Sequence, residues 1–515
     1  MEVLTKFRES LYNQLPALAD ALMNLLDALT SDGHIARSVV QLSESYQFKR
    51  KYSSITDAIS NGLSSVDWKS VERLVYQSCF DEAARTPPCF LIDTTPCPRP
   101  FAKTLEDRNI VHAPNPAPGN KPICVGQAYS CIALLPSEHD AQDKKWLIPL
   151  SAKRVRSDEK GNEVGMFQVK DLISQFGLKH DLAVSVGDSL YGSEKCREIA
   201  GSCDSLVHIF RINRKRNLYS TPKLSSNTRG RGRKKEYGDM MSLANTDTHL
   251  KPTTTSKTAF LSRSGNVYSV TIDAWDDMLI RGSKQYRGSK HPMTLCRVEV
   301  KDSEGNLIFK NPLWLGVLGK LRSQLSLVSV YQYYRSRYDI EHFFRFGKSK
   351  LLLDAFQTPN VTHEENWWRL CLLAYNQLYL SKSVVSHRPK EWEKYLPEYR
   401  QSNHVRELCS PAQAQRGFGS LIDEIGTPAK PSKTRGTSSG RKKGYKPQKR
   451  AELAIVFKTQ AAIQNFNKLI SPELGINGEM PNPKEIDRLL KTVITILHKH
   501  QIDRQQFTKM LRDTR

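Results

Sequence analysis

The chain has 515 residues, enough for about three domains of ordinary size and at least one sizeable core. Lysine and arginine number 77 against 53 acids, a net charge of +24, which favours a polyanionic partner, nucleic acid above all. No apolar run approaches the ~20 residues that a membrane span needs, and no signal-peptide pattern is present. The ten cysteines form no CxxC pair and no zinc-finger spacing with histidine. We therefore expect a cytoplasmic protein with reduced thiols and no membrane partner.

Residues 1–85 carry helical patterns, such as the spacing of Leu22 and Leu26, and predict a helical N-terminal domain that binds DNA. Two short helices are expected within residues 54–80, separated by a break at Asn61. This pair fits either a helix-turn-helix reader of DNA ends or plain packing of two helices.

Residues 86–212 change to short apolar runs that are typical of strands, with helical stretches between the later runs. The order is three strands, helix, strand, helix, strand, which predicts a mixed sheet with flanking helices, an α/β (α+β) fold. The expected strands lie at 89–92, 123–135, 146–150, 182–186 and 206–212.

Residues 213–320 begin with basic, Ser/Gly-rich sequence and continue with alternating runs, so they predict a β-rich insertion. Residues 321–390 are expected to hold the second part of the core. A long helix is predicted over about 325–350, and an apolar helix follows at about 365–386.

Residues 391–450 are predicted to be a basic linker region, because 426–450 contains nine lysines and arginines and no acid. Residues 451–515 are predicted to be a helical C-terminal region. Its helices are expected near 451–470 and 483–512.

Two aspartates stand at the ends of apolar strands. Asp93 follows Phe90-Leu91-Ile92, and Asp188 follows the run 182–186. A single strand-end aspartate more often caps a turn. Two in one sheet, together with a third acid on a helix, are typical of metal ligands in enzymes that transfer phosphoryl groups.

The third acid lies in a predicted helix whose charged residues fall on one face at 100° per residue. This face offers a carboxylate for a metal ion, and three cations with a phenol for phosphates. The alternative is a surface ridge of ion pairs that contributes little. Its members are Tyr334, Arg337, Glu341, Arg345 and Lys348.

The spacing of Tyr334, Arg337, Glu341 and Lys348 resembles the YREK signature of bacterial insertion-sequence DDE transposases. The segments 90–100 and 186–192 are similar to the first and second aspartate motifs of that group. The resemblance covers residues 85 to 390. It implies a ribonuclease H-like catalytic domain with a β-rich insertion before the glutamate helix.

By this resemblance the chain is a DNA transposase that cleaves at transposon ends and joins the 3′-hydroxyl to target DNA by two-metal phosphoryl transfer. Asp93, Asp188 and Glu341 are the implied catalytic acids and metal ligands, with Asp93 bridging two Mg²⁺ ions and the other acids holding one each. Mn²⁺ is expected to substitute. Asp339 is a rival for Glu341 but points about 200° away on the helix.

The resemblance also implies the partners of the chain. These are DNA, as terminal inverted repeats and target duplex, and a second copy in a homodimer on paired ends. The implied location is the bacterial cytoplasm, in association with the nucleoid when DNA is bound.

Several cations are predicted to bind DNA. The resemblance assigns the phosphates beside the transposon end to Tyr334, Arg337 and Lys348, and the helical face adds Arg345. Residues 211–235 contain ten lysines and arginines and no acid, which suits a phosphate backbone, a minor groove or a merely solvated loop. The segment ends in Arg229, Arg231, Arg233, Lys234 and Lys235.

Two questions stay open at the level of sequence. Trp275 and Trp314 in the β-rich insertion are either core residues or, as in related transposases, holders of a flipped base during hairpin formation. Two other functions also fit: a catalytically silent, transposase-derived regulator that binds DNA, and a nuclease on the same fold. The complete set of three acids argues against the silent regulator.

Overall fold

The computed structural model describes two compact units, which are treated separately below. The first comprises residues 1–95, 129–154 and 161–447, and the second comprises 96–128, 155–160 and the residues from 448 on. The residues that the structure describes are 1–80, 87–112, 122–136, 146–179, 181–222, 235–261, 266–283, 286–385, 409–434, 440, 442–446 and 448–457.

The helices and strands follow in chain order. The helices are α1 Glu2–Gln14, α2 Ala19–Asp32, α3 Ser53–Asp57, α4 Trp68–Cys79, α5 Gly161–Gln175, α6 Glu194–Gly201, α7 Leu327–Ser336, α8 Asp339–Lys350, α9 Val361–Ser381 and α10 Pro411–Ile425. The strands are β1 Cys89–Pro98, β2 Asn109–His112, β3 Ile123–Leu134, β4 Ile148–Val155, β5 Ala183–Gly187, β6 Leu206–Arg211, β7 Asn217–Tyr219, β8 Met240–Ser242, β9 Thr254–Leu261, β10 Val267–Met278, β11 Met293–Lys301 and β12 Leu313–Leu318. Short helical turns lie at Val40–Glu44, Ala58–Gly62, Ser189–Gly192, Thr246–Thr248, Gly288–Lys290 and Arg322–Gln324.

A mixed sheet forms the centre of the first unit. Its strand order is β3-β1-β5-β6-β12-β11-β10-β9, and β4 pairs with β3. β1, β5 and β6 are parallel, and every residue of β5 is buried, as expected for a strand covered on both faces. The mixed α/β fold is consistent with the predicted ribonuclease H-like sheet. The predicted strands and helices are present in the predicted order as β1, β3, β4, α5, β5, α6 and β6, but β2 is a further strand that was not predicted. The first strand also continues past residue 92 to Pro98, so Asp93 lies within it and not at its end.

The β-rich insertion extends this same sheet. β12 pairs antiparallel with β6, and β11, β10 and β9 follow as further antiparallel strands. Trp275 and Trp314 are 3% and 2% exposed, and the Trp275 Nε1–H donates to the Leu250 carbonyl at 2.7 Å. Both tryptophans are therefore core residues of the insertion, which was the packing alternative.

The N-terminal helices pack with the helices that follow the sheet. α2 contacts α9 and α10, and α1 and α4 also contact α9. The buried Arg8 guanidinium of α1 donates to Asp27 of α2 at 2.7 Å and to Gln377 of α9 at 2.5 Å. Residues 1–80 thus share a core with α9 and α10, and a separate DNA-binding domain over 1–85 stays a prediction.

The proposed helix pair near 54–80 is also packed inside this unit. α3 continues directly into the turn Ala58–Gly62, and α4 begins after Asp67, whose side chain accepts from the Lys69 amide. Arg73 and Lys69 of α4 both exchange hydrogen bonds with Gln175 at the end of α5. These contacts correspond to plain helix packing.

Part of the predicted basic linker region is a helix. α10 begins with Ser410, whose hydroxyl accepts from the Gln413 amide while the Gln413 side chain accepts from the Ser410 amide. Pro411 occupies the first turn, where its missing N–H costs nothing. The prediction of linker over 391–450 was therefore wrong for Pro411–Ile425, because the capping signals lie before the basic run.

The second unit contains β2 and the first residues of β3, which pair antiparallel with Asn109 opposite Gly126. Residues 448–457 are not helical. The Leu453 amide donates to the Lys103 carbonyl at 2.8 Å, and the Val456 amide donates to Arg108 at 2.7 Å. The predicted helix from 451 is wrong for 451–457, and the rest of the predicted C-terminal helices lie outside the described residues.

Among the helices that the structure describes, none combines the length and the apolar character that a membrane crossing requires.

Candidate active site

Asp93 lies in β1 directly after three buried apolar residues. Its Oδ1 accepts from the Thr94 amide at 2.8 Å. Burial raises the pKa of Asp93 to about 6; the Thr94 amide and Arg337 oppose the rise, and the carboxylates of Asp188 and Glu341 add to it. The two other predicted acids are therefore close enough to Asp93 to raise its pKa.

Asp188 follows β5 and caps the next turn. Its Oδ1 accepts from the Leu190 amide at 2.8 Å, which begins the turn Ser189–Gly192. Tyr191 of that turn packs over Gly187, where a Cβ would lie 2.5 Å from the Tyr191 ring. The Tyr191 hydroxyl lies 3.3 Å from the Thr94 hydroxyl. This contact joins the two aspartate motifs.

His208 on β6 supports the same turn from inside the sheet. Its Nδ1 lies 2.8 Å from the Ser185 hydroxyl, and its Nε2 lies 3.2 Å from the Tyr191 carbonyl oxygen. A carbonyl only accepts, so Nε2 carries the proton and Nδ1 accepts from Ser185. Burial lowers the pKa of His208 to about 4. This role of His208 is not visible in the sequence, because a lone histidine in an apolar strand is usually a core residue.

The prediction of a single helix over 325–350 is wrong, because the helix is interrupted between α7 and α8. The Ser336 hydroxyl donates back to the Gln332 carbonyl at 3.2 Å, a bond that bends helices. The Arg337 amide then donates to Tyr334, three residues back, and the Glu341 amide donates to Tyr338 in the same way. Asp339 supplies the negative charge that favours the start of α8.

The break distributes the predicted residues over two helices and their junction. Tyr334 lies on α7, Arg337 lies at the junction, and Glu341, Arg345 and Lys348 lie on α8. Sequence periodicity cannot show such a break, because α-helical dihedrals on both sides keep the spacing nearly unchanged.

Arg337 is the cation that connects the predicted acids. Its Nη2 donates to Glu341 Oε1 at 3.2 Å. Burial lowers the pKa of Arg337, but the Tyr334 phenol and the carboxylates of Asp93, Glu341 and Asp188 together raise it above its ordinary value. All three acids and the phenol therefore act on this one guanidinium.

Tyr334 is half-buried beside Arg337, whose Cζ lies 6.0 Å from the phenol ring. Burial raises the pKa of Tyr334, while the charges of Arg337 and Arg211 lower it and Asp188 raises it further. Arg211 at the end of β6 thus belongs to the same neighbourhood. The sequence had placed it only within a general basic segment.

The two remaining cations of α8 differ in exposure. Lys348 is half-buried. Its charge lowers the pKa of the Cys131 thiol, and the charge of Asp93 raises it, so both side chains lie near Cys131. Arg345 is exposed. The DNA contacts of both side chains stay predictions.

Asp339, the rival acid, lies in the core. It is 1% exposed, and its charge acts on Tyr375 of α9. Glu341 is half-buried and pairs with Arg337. The two acids of the same helical turn therefore face different surroundings, as the 100° periodicity predicts.

The predicted basic segment is only partly described. Arg229, Arg231, Arg233 and Lys234 lie outside the described residues, and Lys235 is exposed. Residues near its beginning, including Arg211 and Arg216, line a cavity of about 430 Å³ that starts at Ser189, directly after Asp188.

The donor chemistry of the three acids fits hard divalent cations. Carboxylate oxygens with completing waters are the ligands that Mg²⁺ prefers. In the described part of the chain, no three His, Cys, Asp or Glu side chains are grouped to ligate one ion.

Comparison with known proteins adds a family. A family model described as DDE superfamily endonuclease matches residues 10–278, more than half of the chain. The match contains Asp93 and Asp188 and ends before Glu341, so the third acid rests on its place in the structure. No curated protein matches the chain.

Proposed function

We propose that this chain, which belongs to the DDE superfamily of endonucleases, is a DNA transposase that cleaves at transposon ends and joins the 3′-hydroxyl to target DNA. One observation carries the proposal. The carboxylates of Asp93 in β1, Asp188 after β5 and Glu341 on α8 all raise the pKa of the same half-buried guanidinium, that of Arg337. Acids gathered in this way, beside a phenol and cations, suit the transfer of a phosphoryl group.

The three acids are the proposed ligands of two Mg²⁺ ions, which Mn²⁺ would replace, with Asp93 shared between the ions. These ions would supply Lewis-acid stabilisation of the charge that develops on the phosphoryl group. The chain contributes the position of the ligands. β1 and β5 are parallel neighbours and fix Asp93 and Asp188, and the contact between the Tyr191 and Thr94 hydroxyls joins the turn after β5 to β1.

Arg337 and Tyr334 are the proposed holders of the phosphate next to the reacting bond. A guanidinium has five N–H donors in a planar fork, of which Arg337 directs one to Glu341 and one to Tyr334. The phenol of Tyr334 lies beside that fork and offers a further O–H donor. Lys348 and Arg345 add positive charge along α8, which suits the DNA backbone.

The proposal extends to the assembly and its setting. Two transposon ends have to be joined together, so we propose that two copies of the chain act as a homodimer on paired terminal inverted repeats. The proposed setting is the nucleoid of the bacterial cytoplasm.

Strand cleavage and strand transfer are the decisive activities. Purified full-length protein is incubated with labelled duplex carrying the inverted repeats that flank its coding region, a target plasmid, and Mg²⁺ or Mn²⁺. We expect nicked ends and joined products on a denaturing gel. Asp93→Asn should abolish both products while the DNA affinity stays within about twofold. Asp204→Asn, a change of the same kind at an exposed residue, is the matched control.

Two outcomes would replace the proposal. Cleavage without joined product would identify a nuclease on the same fold. Repeat binding without cleavage by the wild type, with Asp93→Asn indistinguishable from it, would identify a silent DNA-binding regulator.

A further inference from the structure

The cavity next to Asp188 is strongly cationic. It lies between the turn after β5, the end of β6 and the residues after β10. Its volume of about 430 Å³ is that of a site for a small molecule or a nucleotide. Five cationic side chains line it against one carboxylate: Arg197, Arg211, Lys215, Arg216 and Arg281 against Glu194.

Arg197 is the most unusual of these residues, because it is only 4% exposed. Its Nε has no hydrogen-bond partner, and its guanidinium lies over the Tyr286 ring, with 5.0 Å from Cζ to the ring centroid. The Glu194 carboxylate in the same wall already accepts from the Ser283 amide. A buried cation that lacks a full set of partners is costly, so it indicates a site that an anion completes.

Arg281 is held in place on the opposite wall by aromatic rings. Its Cζ lies 5.1 Å from the Tyr219 ring centroid and 5.6 Å from that of Tyr237. Cation–π contacts of this kind orient a guanidinium without neutralising its charge. The side chain is exposed, so its remaining donors are open to a ligand.

Arg211 connects the cavity with the candidate active site. Arg211 lines the cavity. Its charge lowers the pKa of Tyr334, and the charge of Asp188 raises the pKa of the same phenol. Ser189 begins the cavity wall directly after Asp188. A chain of phosphates that passes Tyr334 and Asp188 would therefore reach the cavity within a short distance.

We infer that this cavity binds a phosphate group of the DNA strand, next to but separate from the phosphate that reacts. The inference rests on the proposed function for the identity of the polymer, and on the cavity alone for its anion chemistry. A phosphate oxyanion accepts bidentate hydrogen bonds from guanidinium groups. Four of the five cationic side chains that line this cavity are guanidinium groups. Two sources share this chemistry: an internal phosphodiester and a terminal 5′-phosphate.

The test is calorimetric titration of the full-length chain in EDTA with two thymidine dinucleotides, one with a 5′-phosphate and one with a 5′-hydroxyl. We expect binding of at least one of them. Arg281→Gln should weaken it about tenfold, which corresponds to ~1.4 kcal/mol. Arg156→Gln, at an exposed arginine that is ion-paired with Asp158, is the matched control and should bind as the wild type does.

A second variant separates ligand binding from a structural role of Arg197. Arg197→Met removes the buried charge and keeps most of the side-chain volume. We expect it to lose dinucleotide binding while its thermal midpoint stays equal to or rises above that of the wild type. A structural arginine would instead lower the midpoint.

The outcomes are distinct. Binding that requires the 5′-phosphate identifies the terminal group, and equal binding of both dinucleotides identifies the internal phosphodiester. No heat with either dinucleotide at millimolar concentration, or unchanged binding by Arg281→Gln and Arg197→Met, overturns the inference. None of these results depends on cleavage, so a failure of the proposed transposase activity would be seen separately.

Discussion

Two acids in one turn of α8 illustrate how far chemistry depends on the direction of a side chain. Glu341 is half-buried and accepts a hydrogen bond from Arg337, whereas Asp339 is buried and its charge raises the pKa of Tyr375. They are separated by only two residues. Helical periodicity alone distinguishes them, because residues two apart lie on different faces.

Replacement of these two acids should therefore have opposite consequences. We expect Glu341→Gln to lower cleavage by at least about a thousandfold without a change in thermal midpoint, since its carboxylate is partly exposed and held by one contact. Asp339→Asn should lower the midpoint and keep cleavage. A gel-based cleavage assay and thermal denaturation check both. Equal loss of cleavage in the two variants would contradict the assignment of Glu341.

The acids and the YREK-like residues are predicted from strand and helix patterns, which are local features of the sequence, and their roles stay predictions. Arg197 and His208 could not. Their importance comes from contacts with residues distant in sequence, Tyr286 in one case and Ser185 with Tyr191 in the other. A buried arginine and a buried histidine look like ordinary residues until the chain has folded.

At the scale of elements, the turn after β5 depends on close packing of a ring on a glycine. A Cβ at Gly187 would lie 2.5 Å from Tyr191 Cγ. Cγ is bonded to the Cβ of Tyr191 and cannot move away without a shift of the backbone. The turn that carries Asp188 would have to shift. Gly187 is thus required by the site and not by a special backbone dihedral.

We expect Gly187→Ala to destabilise the protein by about 1–3 kcal/mol and to lower cleavage strongly. The matched control is Gly419→Ala in α10, where the new Cβ would meet Ser31 at an ordinary 3.7 Å. A helical alanine should leave stability unchanged or raise it by up to ~1 kcal/mol. Chemical denaturation measures both variants, and a neutral Gly187→Ala would show that the turn is looser than described.

His208 links β5, β6 and the same turn, and its protonation should weaken them. Its pKa is about 4 in the folded state, against an ordinary value of 6.5. The unfolded chain therefore binds a proton first, so the stability from neutral His208 is complete above pH 6.5 and is lost as the pH falls toward 4. The full loss is on the order of 3 kcal/mol.

Denaturation at pH 7.5 and 5 measures about 2 kcal/mol of this loss, because pH 5 still lies above the folded pKa. His208→Asn should be less stable than the wild type at pH 7.5 and show a smaller decrease between the two pH values. Other histidines also titrate in this range, so only the difference between wild type and variant counts. If the free energy of unfolding decreases equally in the two proteins, the pH dependence comes from groups other than His208.

The elements themselves were predicted unevenly, for physical reasons. The strands of the core were visible because apolar runs such as that of β5 are buried on both faces. The break between α7 and α8 was not visible, because a few i→i−3 hydrogen bonds leave the apolar spacing intact. α10 was not predicted, because its capping box lies just before a basic run rich in Pro, Gly and Ser, whose composition is typical of a linker.

At the scale of the molecule, the N-terminal helices and the helices after the sheet form one packed layer within the first unit. The buried pair of Arg8 and Asp27 lies inside this layer, and Gln377 of α9 completes it. Sequence suggested a boundary at 85, because the composition changes there from helical to strand-forming. Composition cannot reveal that helices from two distant segments share one core.

This shared layer predicts cooperative unfolding of the first unit. Arg8→Met would leave Asp27 buried without its cation, which costs about 3–5 kcal/mol. Trp367 and Trp368 of α9 are fully buried, Trp368 against the Tyr129 ring of β3, so both report on the packing of α9. Urea midpoints are measured from tryptophan fluorescence and from loss of cleavage. We expect Arg8→Met to lower both midpoints by the same amount.

The double variant Arg8→Met, Asp27→Leu should recover most of the lost stability, because an apolar pair of similar volume removes the unpaired charge. An independent N-terminal domain would behave differently. Arg8→Met would then shift only one of two separate transitions, and the cleavage midpoint would stay at the wild-type value. Coincident shifts would instead mean that the helices before β1 hold α9 in place, and with it the surface on which α8 presents Glu341.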